Sequence, residues 1–177
     1  SVQITLGQFG VITLIAENPG NISGWMTDND GKLRIAMTSD GVSQSLLYRE
    51  KETDSFKSIL TTNFKEGVSP LYFTFDNEEL YVSSNRDRDK SAIFKFDLNT
   101  VKEGELIFEH DEVDVYGLIR SKKRKVITGV SYTTDKRQIE FFDKWRENLQ
   151  NILESKLKGV EVGISDLSKD ETPVITF

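Results

Sequence analysis

Leu33-Arg34-Ile35-Ala36 returns along the chain as Leu80-Tyr81-Val82-Ser83, Val126-Ile127-Thr128-Gly129 and Val174-Ile175-Thr176-Phe177, each time after a polar turn. The first residues of these segments are 47, 46 and 48 positions apart. A second set keeps the same step. Leu46-Leu47-Tyr48-Arg49-Glu50, Ile93-Phe94-Lys95-Phe96-Asp97 and Ile139-Glu140-Phe141-Phe142-Asp143 end in acids 47 and 46 positions apart. Two independent registers sharing one period are the mark of a repeated supersecondary unit.

Each unit reads as short strands separated by turns. The first runs Ile22–Met26, Leu33–Met37, Ser45–Arg49 and Phe56–Thr61; the second runs Leu71–Phe75, Leu80–Ser84, Ala92–Phe96 and Glu105–Phe108. The turns Asp28-Asn29-Asp30-Gly31, Asp76-Asn77-Glu78-Glu79 and Asp97-Leu98-Asn99-Thr100 carry side chains that accept bonds from nearby amides. Four strands in about 40–50 residues is the arithmetic of a propeller blade. A β-sandwich also has many short strands but gives no reason for a constant step. The expectation is an all-β partial β-propeller spanning 1–177, with four-stranded antiparallel blades at 22–62, 68–110 and 114–158. Half-blades at 1–16 and 160–177 flank them, so the chain is expected to stop in mid-blade. A blade cannot bury its faces without neighbours, and unpaired strand edges favour dimers or strand exchange.

The third unit departs from the pattern. After Asp143, Trp145, Leu149, Ile152, Leu153 and Leu157 recur at helical spacing, with Asp143 placed to cap the helix and Gly159 to end it. The spacing predicts a helix over 144–158 in place of the outermost strand, packed through Trp145, Leu149, Ile152 and Leu157.

Composition bounds the function. In 177 residues, 37% are hydrophobic and 29% charged, which suits one soluble domain with a core. Twenty-nine acids against 23 bases give a net charge of −6, unfavourable for nucleic acid or an anionic membrane. No apolar run approaches the ~18 residues that span a bilayer. There is no cysteine, so disulfides and thiolate metal sites are excluded, while cytoplasm and periplasm both remain open. No signal peptide is visible, and an opening at Ser1 without methionine fits either a removed leader or a shortened chain.

No catalytic constellation is expected. Gly41-Val42-Ser43-Gln44-Ser45, Gly67-Val68-Ser69, Gly129-Val130-Ser131 and Gly163-Ile164-Ser165-Asp166-Leu167 all lack the second glycine of a G-x-S-x-G elbow. His110, the one histidine, sits in an acidic connection and reads as a solvated loop residue. Neither metal nor cofactor is expected. The Asp28–Gly31 turn has its glycine fourth, not sixth, and Ser39 where an EF-hand places glutamate. Lys122-Lys123-Arg124-Lys125 reads as a solvated turn between strands, and Asn21-Ile22-Ser23 fits the glycosylation pattern only formally.

Trp25-Met26-Thr27-Asp28-Asn29-Asp30-Gly31-Lys32-Leu33-Arg34-Ile35-Ala36 resembles the W-x-x-D-x-x-G-x-x-R-x-A signature of propeller blades in the prolyl oligopeptidase family, in its dipeptidyl-aminopeptidase and acylaminoacyl-peptidase branch. Leu80–Asp89 through Phe96-Asp97-Leu98 looks like the next blade, and Gly129-Val130-Ser131-Tyr132 with Phe142-Asp143 and the helix like a third. Phe56 stands where that family often has tryptophan. The resemblance covers about residues 24–177. It implies the non-catalytic propeller of a serine peptidase, whose partner is an α/β-hydrolase domain of the same polypeptide. The propeller would cap the active site there and restrict access to short peptides. No residue of the family's triad maps onto this sequence. The alternative is a propeller scaffold for protein binding, akin to WD-repeat proteins, with no enzyme attached.

One face is singled out. The loops Asp40, Arg86-Asp87-Arg88-Asp89 and Asp135-Lys136-Arg137, with the connections Lys65-Glu66 and Asp111, Glu112 and Asp114, are expected together on one side. Of these, Arg86, Asp87, Arg88, Asp89, Asp111, Glu112 and Asp114 are the candidate residues for domain docking or substrate access.

Overall fold

The computed structural model describes residues 2–5, 12–63, 65–168 and 170–176. Ser1, residues 6–11 and Phe177, assigned above to the terminal half-units, lie outside the described residues, as does Lys169. The chain divides into two compact units, Ser1–Ile107 and Phe108–Phe177.

The first unit opens with the hairpin β1 (Val2–Thr5) and β2 (Ile12–Ala16). A four-stranded sheet follows: β3 (Ile22–Thr27), β4 (Leu33–Ser39), β5 (Ser43–Tyr48) and β6 (Lys57–Asn63). The next sheet holds β7 (Val68–Phe73), β8 (Glu79–Ser84), β9 (Ala92–Asp97) and β10 (Lys102–Phe108), whose last residue begins the second unit. In both sheets spatial order follows chain order, and the pairings whose register is known are antiparallel. The second strand set begins earlier than the sequence reading has it. β7 starts at Val68 because Pro70 is accommodated on the edge of its sheet, where its missing N–H is harmless, beside a register shift between Pro70 and Tyr72.

One hydrophobic cluster joins the two sheets. Ile35 and Leu46 come from the first; Phe73, Leu80, Val82 and Phe96 come from the second. Burying each such side chain contributes ~1.5–3 kcal/mol. β8 is buried along nearly its whole length, from Leu80 to Ser84.

The same two sheets are stapled at their turns. Asn77 Oδ1 accepts from Asn29 N–H at 2.9 Å and from Asn29 Nδ2 at 2.8 Å, while Asn29 Nδ2 also donates to Thr74 O. Arg34 donates through Nη1 to Asn77 O at 2.9 Å and through Nη2 to the Tyr48 hydroxyl at 2.7 Å. Its guanidinium lies 4.9 Å from the Phe73 ring centre, with Asp28 3.6 Å from Nη1. The W-x-x-D-x-x-G-x-x-R-x-A residues are thereby explained. Trp25 packs on Phe56 at 5.6 Å, Asp28 Oδ1 holds the amides of its own turn, Gly31 takes φ +82°, Arg34 bridges the sheets and Ala36 is fully buried.

The second unit has a three-stranded antiparallel sheet: β11 (Val115–Ser121), β12 (Val126–Thr133) and β13 (Arg137–Phe141). The helix α1 (Lys144–Lys156) follows β13, and the hairpin β14 (Gly163–Leu167) and β15 (Pro173–Thr176) follows α1. This third sheet therefore has three strands, with the helix next in the chain. Gly129 is required by packing: a Cβ there would fall 2.5 Å from Glu140 O of the neighbouring strand.

The helix turns a different face inward from the one the sequence predicts. Arg146 and Gln150 are 2% and 4% exposed, whereas Trp145 and Ile152 are 43% and 53% exposed. Leu149, Leu153 and Leu157 are half-buried. Two polar contacts fix this rotation. The Arg146 guanidinium lies over the Phe141 ring at 5.6 Å, and Gln150 Nε2 donates to Val162 O at 2.7 Å. The cap is as predicted: Asp143 accepts from Arg146 N–H at 2.9 Å, and Gly159 takes φ +86° just beyond the helix.

Candidate functional site

The Arg86–Asp89 loop joins β8 to β9 in the first unit. It is anchored by Asn85, whose Oδ1 accepts from Gly67 N–H at 2.7 Å and whose Nδ2 donates to Lys65 O at 2.9 Å. One amide thus ties the β6–β7 connection, with Lys65 and Glu66, to the β8–β9 loop. Arg86 N–H donates to Ser84 Oγ at 3.2 Å, and Ser84 Oγ donates to Glu103 at 2.5 Å. Asp87 takes φ +55°, which turns the loop tip. Arg88 lays its guanidinium 5.0 Å from the Phe94 ring, and Asp89 meets Lys90 at 3.2 Å. At the β4–β5 turn, Asp40 accepts from Val42 and Ser43 amides at 2.9 and 2.6 Å, which holds its carboxyl below the usual range.

Asp111, Glu112 and Asp114 lie in the connection that opens the second unit. Asp111 and Glu112 are exposed; Asp114 is half-buried. His110 Nδ1 accepts from Glu112 N–H at 3.1 Å, so the neutral ring carries its proton on Nε2. The imidazole sits 4.6 Å from the Tyr132 ring, which stacks on Phe108 at 5.8 Å. His110 is thus a half-buried residue of the loop between β10 and β11, with one face of its ring against Tyr132. Arg86–Asp89 and Asp111–Asp114 belong to different units. Asp135 and Lys136 form the β12–β13 turn with Arg137 beginning β13, and all three are exposed.

A charged centre that the sequence reading missed surrounds Arg124. Arg124 is half-buried, unlike its exposed neighbours Lys122, Lys123 and Lys125. It donates through Nη1 and Nη2 to Asp143 at 2.6 and 3.1 Å and through Nε to Glu171 at 3.1 Å, and covers the Trp145 ring at 5.0 Å. Arg124 keeps Asp143 below the ordinary carboxylate range, while the Ser121 hydroxyl, with Arg124 after it, does so for Glu171. Arg124 is thus a clamp within a turn whose three lysines are exposed as expected. It joins the β11–β12 turn to the helix start and to the β14–β15 turn. Asp28–Gly31 likewise serves its own turn, and among the described residues no group of three or more His, Asp or Glu is arranged to hold a metal ion.

Set beside known proteins, the chain has a relative among the peptidases. That relative is dipeptidyl aminopeptidase BIII of Pseudoxanthomonas mexicana, 28% identical over an alignment of 127 residues that covers 67% of this chain and 17% of that protein. The match therefore spans about a sixth of the relative's length. No family model matches the chain, and no solved structure does.

Proposed function

We propose that residues 1–177 are one section of a β-propeller from a serine peptidase of the prolyl oligopeptidase family. In this reading the section is non-catalytic. It caps an α/β-hydrolase domain carried elsewhere on the same polypeptide and restricts access to short peptides. One observation supports it above the others: the hairpin turns repeat in backbone conformation as well as in sequence. Gly31, Asn77, Lys125 and Glu171 all take positive φ, at steps of 46, 48 and 46 residues. Stacked sheets with a constant step are what a propeller is made of, and the one relative named above is a dipeptidyl aminopeptidase. Arg86, Asp87, Arg88 and Asp89, with Asp111, Glu112 and Asp114, are assigned in this reading to domain docking or substrate access, where charged rims tune recognition.

The test uses the full-length polypeptide. A fluorophosphonate should label one serine outside residues 1–177, and hydrolysis should fall steeply as peptide substrates lengthen. Arg86→Ala with Arg88→Ala should change kcat/KM while the far-ultraviolet circular dichroism stays that of the wild type. A labelled serine within residues 1–177, or hydrolysis indifferent to peptide length, overturns the reading. A polypeptide with no reactive serine returns it to a binding scaffold.

A further inference from the structure

We propose that the cleft at one end of the first four-stranded sheet binds an uncharged peptide segment through an aliphatic side chain. The cleft has a volume of about 300 Å³ and lies wholly within the first unit. Strand register builds it. Met37 pairs with Leu46 and Leu46 with Leu60, giving an apolar row across three strands. Two residues along each strand, on the same face, Ser39 pairs with Gln44 and Gln44 with Thr62. The apolar row is thus followed by a polar row nearer the strand ends. Val68 and Ser69 of β7 complete the lining from the second sheet.

The lining selects its ligand by what it contains. None of its residues is charged, in a chain where 29% are, so it offers neither counter-ion for an acid nor one for a base. None is aromatic, so there is no ring on which a sugar or a heterocycle could stack. What remains is an apolar floor beside hydroxyl and amide groups. Ser39 Oγ accepts from Gly41 N–H at 3.2 Å and keeps its proton to donate outward. Among the described residues the side chains of Gln44 and Thr62 make no hydrogen bond within the protein, and Gln44 is exposed. Gln44 carries both a donor and an acceptor, the complement of a peptide group. The volume stands at the lower end of the ~300–1,000 Å³ of small-molecule sites. That admits one side chain with its flanking amides. The inference concerns this unit alone and holds with or without a hydrolase domain.

The experiment is a titration of the chain, carbon-13-labelled at Met, Leu and Val methyls, with acetyl-Ala-Leu-Ala-amide and its Asp and Lys analogues. Saturable shifts at Met37, Leu46, Leu60 and Val68 are expected with the leucine peptide, and binding at least roughly tenfold weaker with either charged peptide. Gln44→Ala, an exposed position, should weaken the leucine peptide several-fold and leave the remaining methyl spectrum in place. Thr62→Trp should fill the cleft and abolish the shifts. No saturable shift at about 10 mM peptide, shifts confined to methyls elsewhere, or equal binding of all three peptides overturns the proposal.

Discussion

Asn29 and Asn77, 48 residues apart in sequence, are joined twice: the Asn77 side-chain oxygen accepts both the backbone N–H and the side-chain amide of Asn29. Asn77 Nδ2 donates in turn to Asp30 at 3.1 Å. The same residue sits at φ +64°, where any side chain other than Gly, Asn or Asp is strained. The two contributions can be separated. Asn77→Gly keeps the backbone and loses the bonds, and should cost about 1–2 kcal/mol. Asn77→Ala should cost roughly a further 1 kcal/mol for the left-handed turn. Urea unfolding followed by Trp25 fluorescence measures both; equal costs would dismiss the strain.

Arg34 should be less replaceable than its charge suggests. Lysine offers no planar fork for Asn77 O and Tyr48, and no flat cation against Phe73. Arg34→Lys should therefore destabilise the first unit by about 2–4 kcal/mol. Tyr48→Phe, which removes only one bond to the guanidinium, should cost about 1–2 kcal/mol. If the lysine variant unfolds with the wild type, the bridge is not holding the sheets.

Acid should loosen the second unit first at the Arg124 clamp. The folded pKa values of Asp143 and Glu171 are depressed, so their contribution is complete above the ordinary carboxylate value of about 4. It is lost as the pH falls through the depressed values. Unfolding monitored by Trp145, in a Trp25→Phe background, should show stability declining below about pH 4. Asp143→Asn should flatten that decline and cost about 1–3 kcal/mol at neutral pH.

The helix offers a contrast between neighbours. Ile152→Ala should change stability by no more than about 0.5 kcal/mol, since its side chain is exposed. Gln150→Ala should cost about 1–3 kcal/mol, because it leaves Val162 O without its donor. Thermal denaturation of the two variants side by side decides it. The reverse order would restore the apolar face predicted from the sequence.

Strand positions and chain-order sheets were legible because each strand's alternation and each Asp- or Asn-rich turn is written locally. The recurring left-handed turn was legible at Gly31 and at Asn77, residue types that tolerate positive φ. At Lys125 and Glu171 the residue type announces nothing, and Glu171 meets Arg124 from 47 positions away. The helix was legible as a helix, with its cap, but not its rotation. Arg146 and Gln150 are polar, and their burial depends on Phe141 and Val162, which only the fold brings near. The charged loops could be read as loops from the sequence. That Asn85 ties one of them to Lys65 and Gly67 could not, since an asparagine before a turn says nothing about a second loop.

Because each four-stranded sheet is a meander whose strands pair only with sequence neighbours, its closure needs no distant part of the chain. Short separations between partners lower the loop entropy lost before contacts form, and so favour rapid folding. The sheet β3–β6 can be complete once Asn63 has left the ribosome, with Leu33, Ile35 and Leu46 already on its strands. The second sheet then condenses on a template already in place. Order of synthesis and order of assembly coincide, which shortens the time that an apolar sheet face waits uncovered during translation.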